Sequence, residues 1–446
     1  MKSSLLERVY GAILVVILAG IVVHAPLTVW LGTMAPGYEL LIKSWKELLM
    51  VVAMALGLIA VTRRGLWREL SRDWLFRLII TFALLHFLLL LVLWNGINAS
   101  LAGLSIDLRW LLYFGLVYVA LRLMPGYRAL FIKVAAAGAL VVGVFAVLQV
   151  MVLPRDILAG IGYDKDTTIA PYLTVDKNPD YVRINSTLRG PNPLGAYAVI
   201  VLSILASAAL LTPKRVERYQ VAGVVTAVGM VVALWASYSR SALAALVASG
   251  VAIAVALRQK ITRKWWIGSV IVVCALIGVL VVGRGSAFVS NVILHENPTG
   301  GSDISSNEGH TSSLIDGVGR LIHQPLGGGV GSTGSASLYG NEPLVIENQY
   351  LFTAHETGWL GLALLLVIFG LVLQRLWRSR RDYLALGLFA GGIGMALIGL
   401  LLPVWVDDTV AIIWWGLAGL AIGSRQIEDG VKARTKGERN GKRTRN

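Results

Sequence analysis

One arginine, Arg240, stands between two apolar stretches in the sequence "SYSRSALAAL". Charge at the edge of hydrocarbon is costly unless it has a partner. A guanidinium group is permanently charged and can form two parallel hydrogen bonds to phosphate oxygens. Arg240 is therefore a candidate for binding a phosphate on a substrate. The alternative is that its long side chain reaches the phosphates of the surrounding lipid.

Two further arginines lie in "YVRINSTLRGPNPLGAY", at positions 183 and 189. The prolines and glycines that follow Arg189 predict a stiff turn leading directly into a helix, because proline suits the first helical turn. This turn holds Arg189 at the edge of the membrane and Asn192 near the helix start. We therefore add Arg183, Arg189 and Asn192 to the candidate substrate-binding residues.

The stretch "IENQYLFTAHETGWLGL" opens an apolar helix with Glu347 and Asn348 and carries His355 and Glu356 farther along. A carboxylate is favoured at a helix start by about 0.3–1 kcal/mol, so simple capping is one interpretation of Glu347. The other is a general base at the edge of a pocket. His355 and Glu356 are predicted to contact neighbouring helices.

Other polar groups near apolar helix ends are weaker candidates. Lys43 in "IKSWKE" and Arg109 are added as substrate-binding residues. The adjacent Asp407 and Asp408 are a weak signal for a divalent metal. The sequence contains no HExxH, paired CxxC, GxSxG or Walker pattern, and we expect no metal site.

The composition predicts a membrane protein. The chain has 446 residues, of which 56% are hydrophobic and only 15% are charged. Apolar runs of about 20 residues, each long enough to cross a hydrocarbon core of about 30 Å, recur along its length. The runs lack the alternating pattern of a membrane β-barrel. The fold class is therefore all-α and polytopic, with residues 1–424 forming a single integral-membrane domain.

The net charge of +15 comes from short basic clusters that lie just outside apolar runs. They recur on every second connection, which is the positive-inside pattern and not that of a nucleic-acid surface. The clusters are at 63–72, 213–218, 258–264, 375–381 and in the tail 425–446. We interpret them as topology determinants and the tail as a cytoplasmic, disordered segment.

Twelve membrane-spanning helices are predicted, with both termini in the cytoplasm. Their positions are 9–32, 47–62, 74–94, 104–122, 129–152, 193–212, 219–236, 241–257, 265–283, 349–374, 383–402 and 409–424. The residues singled out above then lie mostly at the outer ends of helices.

Two outer loops, about 153–192 and 284–348, are long enough to predict a function. In the second loop, residues 312–324 have the spacing of a short amphipathic helix lying on the membrane, with Ser313 and Asp316 as a capping box. The glycines of "LGGGVGSTG" (326–334) that follow could form an anion nest or a flexible turn.

Four stretches in this order resemble the O-antigen polymerase/ligase family of bacterial surface-polysaccharide enzymes. They are "STLRGPNPLGAYAVIVLSIL", "SYSRSALAAL", "EGHTSSLIDGVGRLIHQPLGGGVGSTG" and "ENQYLFTAHETGWLGL". The resemblance covers roughly residues 180–365. It implies a GT-C-like glycosyltransferase of the bacterial inner membrane that is inverting, uses no metal or other cofactor, and works on the extracytoplasmic face.

The implied donor is a glycan on undecaprenyl diphosphate, and the acceptor is a hydroxyl on another lipid-linked glycan or on a lipid A–core sugar. Arg189 and Arg240 match the family's phosphate-binding arginines. Glu347 stands where the ligases carry a catalytic histidine. Because this chain departs from the ligases there, and because "EGH" and "ENQYL" look more like the polymerase branch, polymerisation is the preferred interpretation. His310 of "EGH" becomes a candidate for acceptor contact or proton transfer.

Two alternatives remain open at this stage. One is a ligase that joins the glycan to lipid A–core. The other is a flippase for the same lipid, although a transporter is expected to place polar residues at the middle of the membrane. Expected partners are the lipid bilayer, the lipid-linked substrates, and a chain-length regulator or flippase of the same pathway.

Overall fold

A computed structural model describes residues 3–212, 220–259, 282–286, 289–290, 306–340 and 342–424 of the chain. In this part of the chain, seven helical segments are long and apolar enough to cross a membrane. They are α1 (Leu5–Met34), α2 (Trp45–Arg64), α3 (Trp74–Val92), α4 (Ile97–Leu123), α5 (Pro125–Met151), α6 (Pro191–Leu211) and α10 (Gln349–Arg378).

Four shorter apolar helices complete the bundle, and one amphipathic helix lies in the second long loop. The apolar helices are α7 (Gln220–Ala236), α8 (Arg240–Ala256), α11 (Tyr383–Gly399) and α12 (Asp408–Ser424). The amphipathic helix is α9 (Ser306–His323). The prediction of an all-α, multi-pass membrane protein is confirmed. Eleven of the twelve predicted spans correspond to these apolar helices, and the predicted span 265–283 and the tail 425–446 lie outside the described residues.

The helices begin where a polar side chain can accept the free N–H groups of a first turn. Asp73 accepts from Leu75 at the start of α3, and Asp382 accepts from Leu384 and Ala385 at the start of α11. Pro191 is the first residue of α6, a position where a missing N–H costs nothing.

One end of the bundle, the basic end, carries the two basic clusters that are fully described, 63–72 and 375–381, and several acidic side chains there pair with basic ones. Arg64 donates to Glu7 at 2.6 Å and joins α2 to α1. Arg375 contacts Asp73 at 2.5 Å and joins α10 to α3. The other end, here called the loop end, carries the described parts of the two long loops.

A β-hairpin in the first long loop is a feature that the sequence analysis did not predict. Strands β1 (Leu173–Val175) and β2 (Asn178–Arg183) pair antiparallel, with Leu173 opposite Arg183. The turn residues Asp176 and Lys177 both have positive φ. A turn of this kind usually carries Asn or Gly at these positions. Because Asp176 and Lys177 stand there instead, the sequence does not predict the turn. The Ile184 N–H donates to the Ala236 carbonyl at 3.1 Å, which fixes the end of β2 against the end of α7.

Helix α9 covers the predicted short helix 312–324 but begins at Ser306, so the predicted capping box is wrong. Asp316 instead accepts from Arg320, one turn later, at 2.8 Å. The Ser313 hydroxyl accepts the N–H of Glu347 at 2.9 Å. Helix α9 is thereby attached to the segment that leads into α10.

Candidate functional site

Arg183 and Arg240 lie together at the loop end and form, with Asn192, what we call the arginine cluster. Arg183 donates to the Asn192 side-chain oxygen at 2.6 Å and to the Ser237 carbonyl at 2.8 Å. Burial, followed by the nearby positive charge of Arg240, lowers the pKa of Arg183 to about 10. Two cations held side by side in partly buried positions favour the binding of an anion.

Helix geometry places Arg240 in this cluster. It is the first residue of α8, and Tyr238 just before it has a φ of 47°. A tyrosine in this left-handed region is uncommon, and such backbone strain is often found at functional sites. The start of a helix also carries a partial positive charge from its free N–H groups. Arg240 therefore adds its charge to an end that already attracts anions.

The acidic group that acts on both arginines is Asp176, in the turn of the hairpin. Among the described groups that act on this pair, one carboxylate faces two guanidinium groups, which gives this part of the site net positive charge. A phosphate or diphosphate group matches this charge and the bidentate geometry of arginine.

Arg189, the third predicted phosphate-binding arginine, has a different neighbour. Its side chain is exposed, and its positive charge acts on Asp407, in the connection before α12. Arg240, and not Arg189, is the positive charge that lowers the pKa of Arg183. The structure thus places the three arginines at the loop end in two separate surroundings.

A buried charge network lies between α1, α2, α4 and α12 and includes the predicted residue Arg109. Asp408 contacts Lys46 at 2.9 Å, His24 at 3.2 Å and Arg109 at 3.6 Å. Glu47 contacts Lys46 at 3.2 Å and Arg109 at 3.6 Å. Lys43 has an exposed side chain, and its backbone carbonyl accepts from Lys46. Arg109 is thus engaged by two carboxylates inside the protein.

We expect Asp408→Asn to lower the free energy of unfolding by about 3–5 kcal/mol, because it leaves two buried cations, Lys46 and Arg109, to share Glu47, so that one positive charge is uncompensated. Lys46 is only 2% exposed. Thermal unfolding of purified protein in detergent measures the effect.

Asp407→Asn is the matched control for this substitution. Burial, together with the charge of Asp408, raises the pKa of Asp407 to about 6, so its ionised form is less favoured in the fold. We expect the control to be less destabilising than Asp408→Asn, and equal losses in the two variants would contradict this assignment.

Glu347 and Asn348 lie at the junction of the second long loop with α10. Asn348 is the N-cap: its side-chain oxygen accepts from Tyr350 and Leu351, and its amide donates to the Leu400 carbonyl at 2.8 Å. Glu347 precedes the cap and is half-buried. Because the Asn348 side chain already caps α10, the Glu347 side chain is not needed for this purpose. The backbone of His310 lies in α9, three residues before Ser313, and its side chain lies outside the described part.

The glycine-rich loop, residues 327–334, packs directly on α10. Gly358 interrupts that helix with a φ of 67°, and a side chain there would collide with the Pro325 carbonyl. The Gly328 N–H donates to the His355 carbonyl, and the Thr333 N–H donates to Glu356 at 3.3 Å. The group that faces the amides of this loop is therefore the protein's own Glu356 carboxyl, which also contacts Asp107 of α4.

An apolar groove of about 520 Å³ runs between α8, α10 and α11. Ala248 of α8 lines it two turns after Arg240, and Tyr350 of α10 lines it three residues after Glu347. The remaining lining comes from leucines, an isoleucine and an alanine of α10 and α11. The groove is suited to a hydrocarbon chain. Two of the helices that form it begin at or next to a predicted site residue: α8 at Arg240, and α10 just after Asn348.

Two buried polar residues that sequence analysis did not select, His86 and Asp107, line a separate small cavity with Glu356. Histidine in the apolar run "LLHFLLLL" was an available signal, because ionisable residues within membrane helices are rarely without a function. The predicted span 104–122 puts Asp107 in its first turn, whereas α4 begins ten residues before Asp107, at Ile97. This places Asp107 nearly three turns inside the helix.

The fold defines a polytopic helical membrane protein with an arginine cluster at the loop end and an apolar groove between α8, α10 and α11. Residues 225–366 match the family model described as O-antigen ligase, which supports an O-antigen polymerase/ligase-like family for the chain. The matched stretch contains Arg240, Glu347 and Glu356, whereas Arg183, Arg189 and Asp107 precede it. No curated protein matches the chain.

Proposed function

We propose that this protein transfers a glycan from a polyprenyl-diphosphate donor to a hydroxyl of a second lipid-linked glycan, as a polymerase of surface polysaccharide. The observation that carries the proposal is the adjacent pair Arg183 and Arg240, in which Arg240 begins α8, one of the helices that line the apolar groove. The arginine cluster suits the diphosphate, and the groove suits the lipid tail. The family match supports the same class of reaction.

In the proposed reaction, the acceptor hydroxyl attacks the anomeric carbon on the face opposite the diphosphate. A carbon–oxygen bond forms there, and the bond from that carbon to the diphosphate oxygen breaks, which inverts the configuration. Glu347 accepts the hydroxyl proton as general base. Arg183 and Arg240 stabilise the negative charge that develops on the departing diphosphate. No step requires a metal ion.

Position supports Glu347 for this role. The carboxylate is half-buried, and the side chain of the next residue, Asn348, already caps α10. The Glu347 N–H is held by Ser313 of α9, which fixes its backbone. His310 lies one turn before Ser313 and is kept as the candidate for contact with the acceptor. Arg189, Asn192, Lys43 and Arg109 are kept as weaker candidates for substrate binding or electrostatic support.

The site is proposed to lie on the extracytoplasmic face of a bacterial inner membrane, because the described basic clusters, 63–72 and 375–381, lie at the other end of the bundle. Cysteine labelling tests this, after replacing Cys274, the single cysteine of the chain. We expect Asp166→Cys, exposed at the loop end, to react with an impermeant maleimide in intact cells. The control Ser71→Cys, exposed at the basic end, is expected to react only after permeabilisation. The reverse pattern would overturn the proposed orientation.

The decisive experiment is reconstitution of the purified protein with a defined polyprenyl-diphosphate glycan, in buffer containing EDTA. Longer glycans on the same lipid support the polymerase. Transfer to added lipid A–core and not to the lipid-linked glycan supports a ligase instead. Movement of intact donor across the bilayer without any new glycosidic bond identifies a flippase and contradicts the proposal.

A further inference from the structure

Three ionisable side chains from three membrane helices meet at a closed cavity inside the bundle. They are His86 of α3, Asp107 of α4 and Glu356 of α10, here called the buried triad. His86 is 0% exposed and Glu356 is 1% exposed. The cavity has a volume of about 10 Å³, and one water molecule fits in a space of about this size.

The hydrogen bonds of the triad define where protons must be. The His86 Nδ1 lies 2.8 Å from the Phe82 carbonyl, which can only accept, so Nδ1 carries a hydrogen. The other ring nitrogen, Nε2, faces the Asp107 carboxyl at 3.5 Å. The Asp107 carboxyl in turn contacts that of Glu356. Asp107 Oδ2 and Glu356 Oε2 have no hydrogen-bond donor among the described residues.

The contact between His86 Nε2 and Asp107 and the contact between Asp107 and Glu356 each join two groups that accept protons. Each contact therefore requires one proton. With two protons the triad consists of an imidazolium, a carboxylate and a carboxylic acid, and its formal charge is zero. With one proton fewer it carries a negative charge inside the membrane. A buried pair of facing carboxylates is strongly unfavourable.

Within the described part of the chain, the surrounding charged groups do not offer another way to neutralise the triad. Arg109, two residues after Asp107, is engaged by Glu47 and Asp408. His355 lies next to Glu356, and its ring is directed at Gly328 in the glycine-rich loop. The loop itself contributes backbone N–H groups from Gly331 and Thr333 to Glu356 and no charged side chain. Among the described residues, no group of acidic and histidine side chains is arranged to hold a metal ion.

We propose that the buried triad is a proton-binding site that holds two protons beside one bound water, and that its occupancy controls the packing of the glycine-rich loop on α10. In the fully protonated site, Glu356 donates its proton toward Asp107 while its Oε1 accepts from Thr333. Loss of that proton sets two carboxylates against each other beneath the loop and loosens its attachment.

Infrared spectroscopy of the full-length protein in lipid nanodiscs tests proton binding without any assay of activity. At pH 8 we expect a carbonyl stretch from one buried carboxylic acid, sensitive to heavy water. Glu356→Gln is expected to remove this band, because the variant has no carboxylic acid at this position. Its amide N–H donates to Asp107 in place of the acid proton, so Asp107 stays a carboxylate. The matched control Glu342→Gln, exposed just after the glycine-rich loop, retains it. A missing band in the unmodified protein overturns the proposal, and so does a band lost on addition of NaCl, which indicates a bound cation.

Hydrogen exchange of residues 327–334 tests the link to the loop. We expect exchange in the unmodified protein to speed up at alkaline pH by more than the intrinsic chemical rate, whereas exchange in Glu356→Gln rises with pH only as the intrinsic chemical rate does. Identical profiles for the two proteins refute the link. Neither measurement depends on glycan transfer. A negative result in either one therefore leaves the proposed function unaffected, and a negative transfer assay leaves the proton-binding proposal unaffected.

Discussion

Arg240→Ala is expected to lower glycan transfer at least a hundredfold while the protein still inserts in the membrane. A positioned charge that stabilises a leaving group typically contributes about 10²–10³ in rate. Arg240 is placed for this role by the start of α8, and its charge acts on Arg183. Arg240→Lys keeps the charge but loses the bidentate geometry, so we expect an intermediate rate.

Arg155→Ala is the matched control, because Arg155 is an exposed arginine in the first long loop and its guanidinium contacts only a backbone carbonyl among the described hydrogen bonds. We expect this variant to transfer glycan at the normal rate. The measurement is glycan chain length in cells and transfer rate in proteoliposomes. Normal chain lengths in Arg240→Ala would remove the diphosphate-binding model.

Glu347→Gln is expected to reduce transfer by about 10²–10⁴, the usual contribution of a general base. The substitution keeps the size of the side chain, removes its negative charge and its ability to take up a proton, and introduces an amide. We expect the fold to be retained, because Asn348 caps α10 and Ser313 holds the Glu347 backbone N–H. Transfer rate and thermal unfolding together separate the two effects.

The control here is Glu342→Gln, an exposed carboxylate in the same loop. Glu347→Asp serves as a second probe, since a shorter carboxylate retains the chemistry in a less favourable position. We expect the order of activity to be unmodified protein, then aspartate, then glutamine at position 347. Full activity of Glu347→Gln would assign Glu347 to the local structure of the helix start alone.

The membrane helices could be predicted from sequence because hydrocarbon thickness sets a length and an apolar composition for each span. Predicted and observed bounds of α2 and α8 differ by two residues or fewer at each end. The start of α4 differs by seven residues, because "NGINASLAG" is polar enough to be interpreted as loop. In the structure this stretch is helical under the cover of the glycine-rich loop, and Gly103 lies against Gly331.

The sequence indicates candidate residues by their type, but it does not indicate which side chains surround them in the fold. Arg240 and Glu347 stand out because charge at the edge of an apolar run needs an explanation. The pairing of Arg183 with Asn192 depends on a hairpin whose turn, Asp176 and Lys177, carries no recognisable turn sequence. Without the hairpin, the distance between Arg183 and Arg240 cannot be inferred.

The sequence alone determined the class of protein, the order of its helices and the residues whose charge requires a partner. Each of these depends on local composition and on the length of apolar runs, which a bilayer makes directly interpretable. Only the tertiary structure decided which charges meet. His86, Asp107 and Glu356 are separated by up to 270 positions, and α3, α4 and α10 bring them to one cavity. Their association depends on helix packing, which side-chain shape decides and which apolar periodicity does not encode.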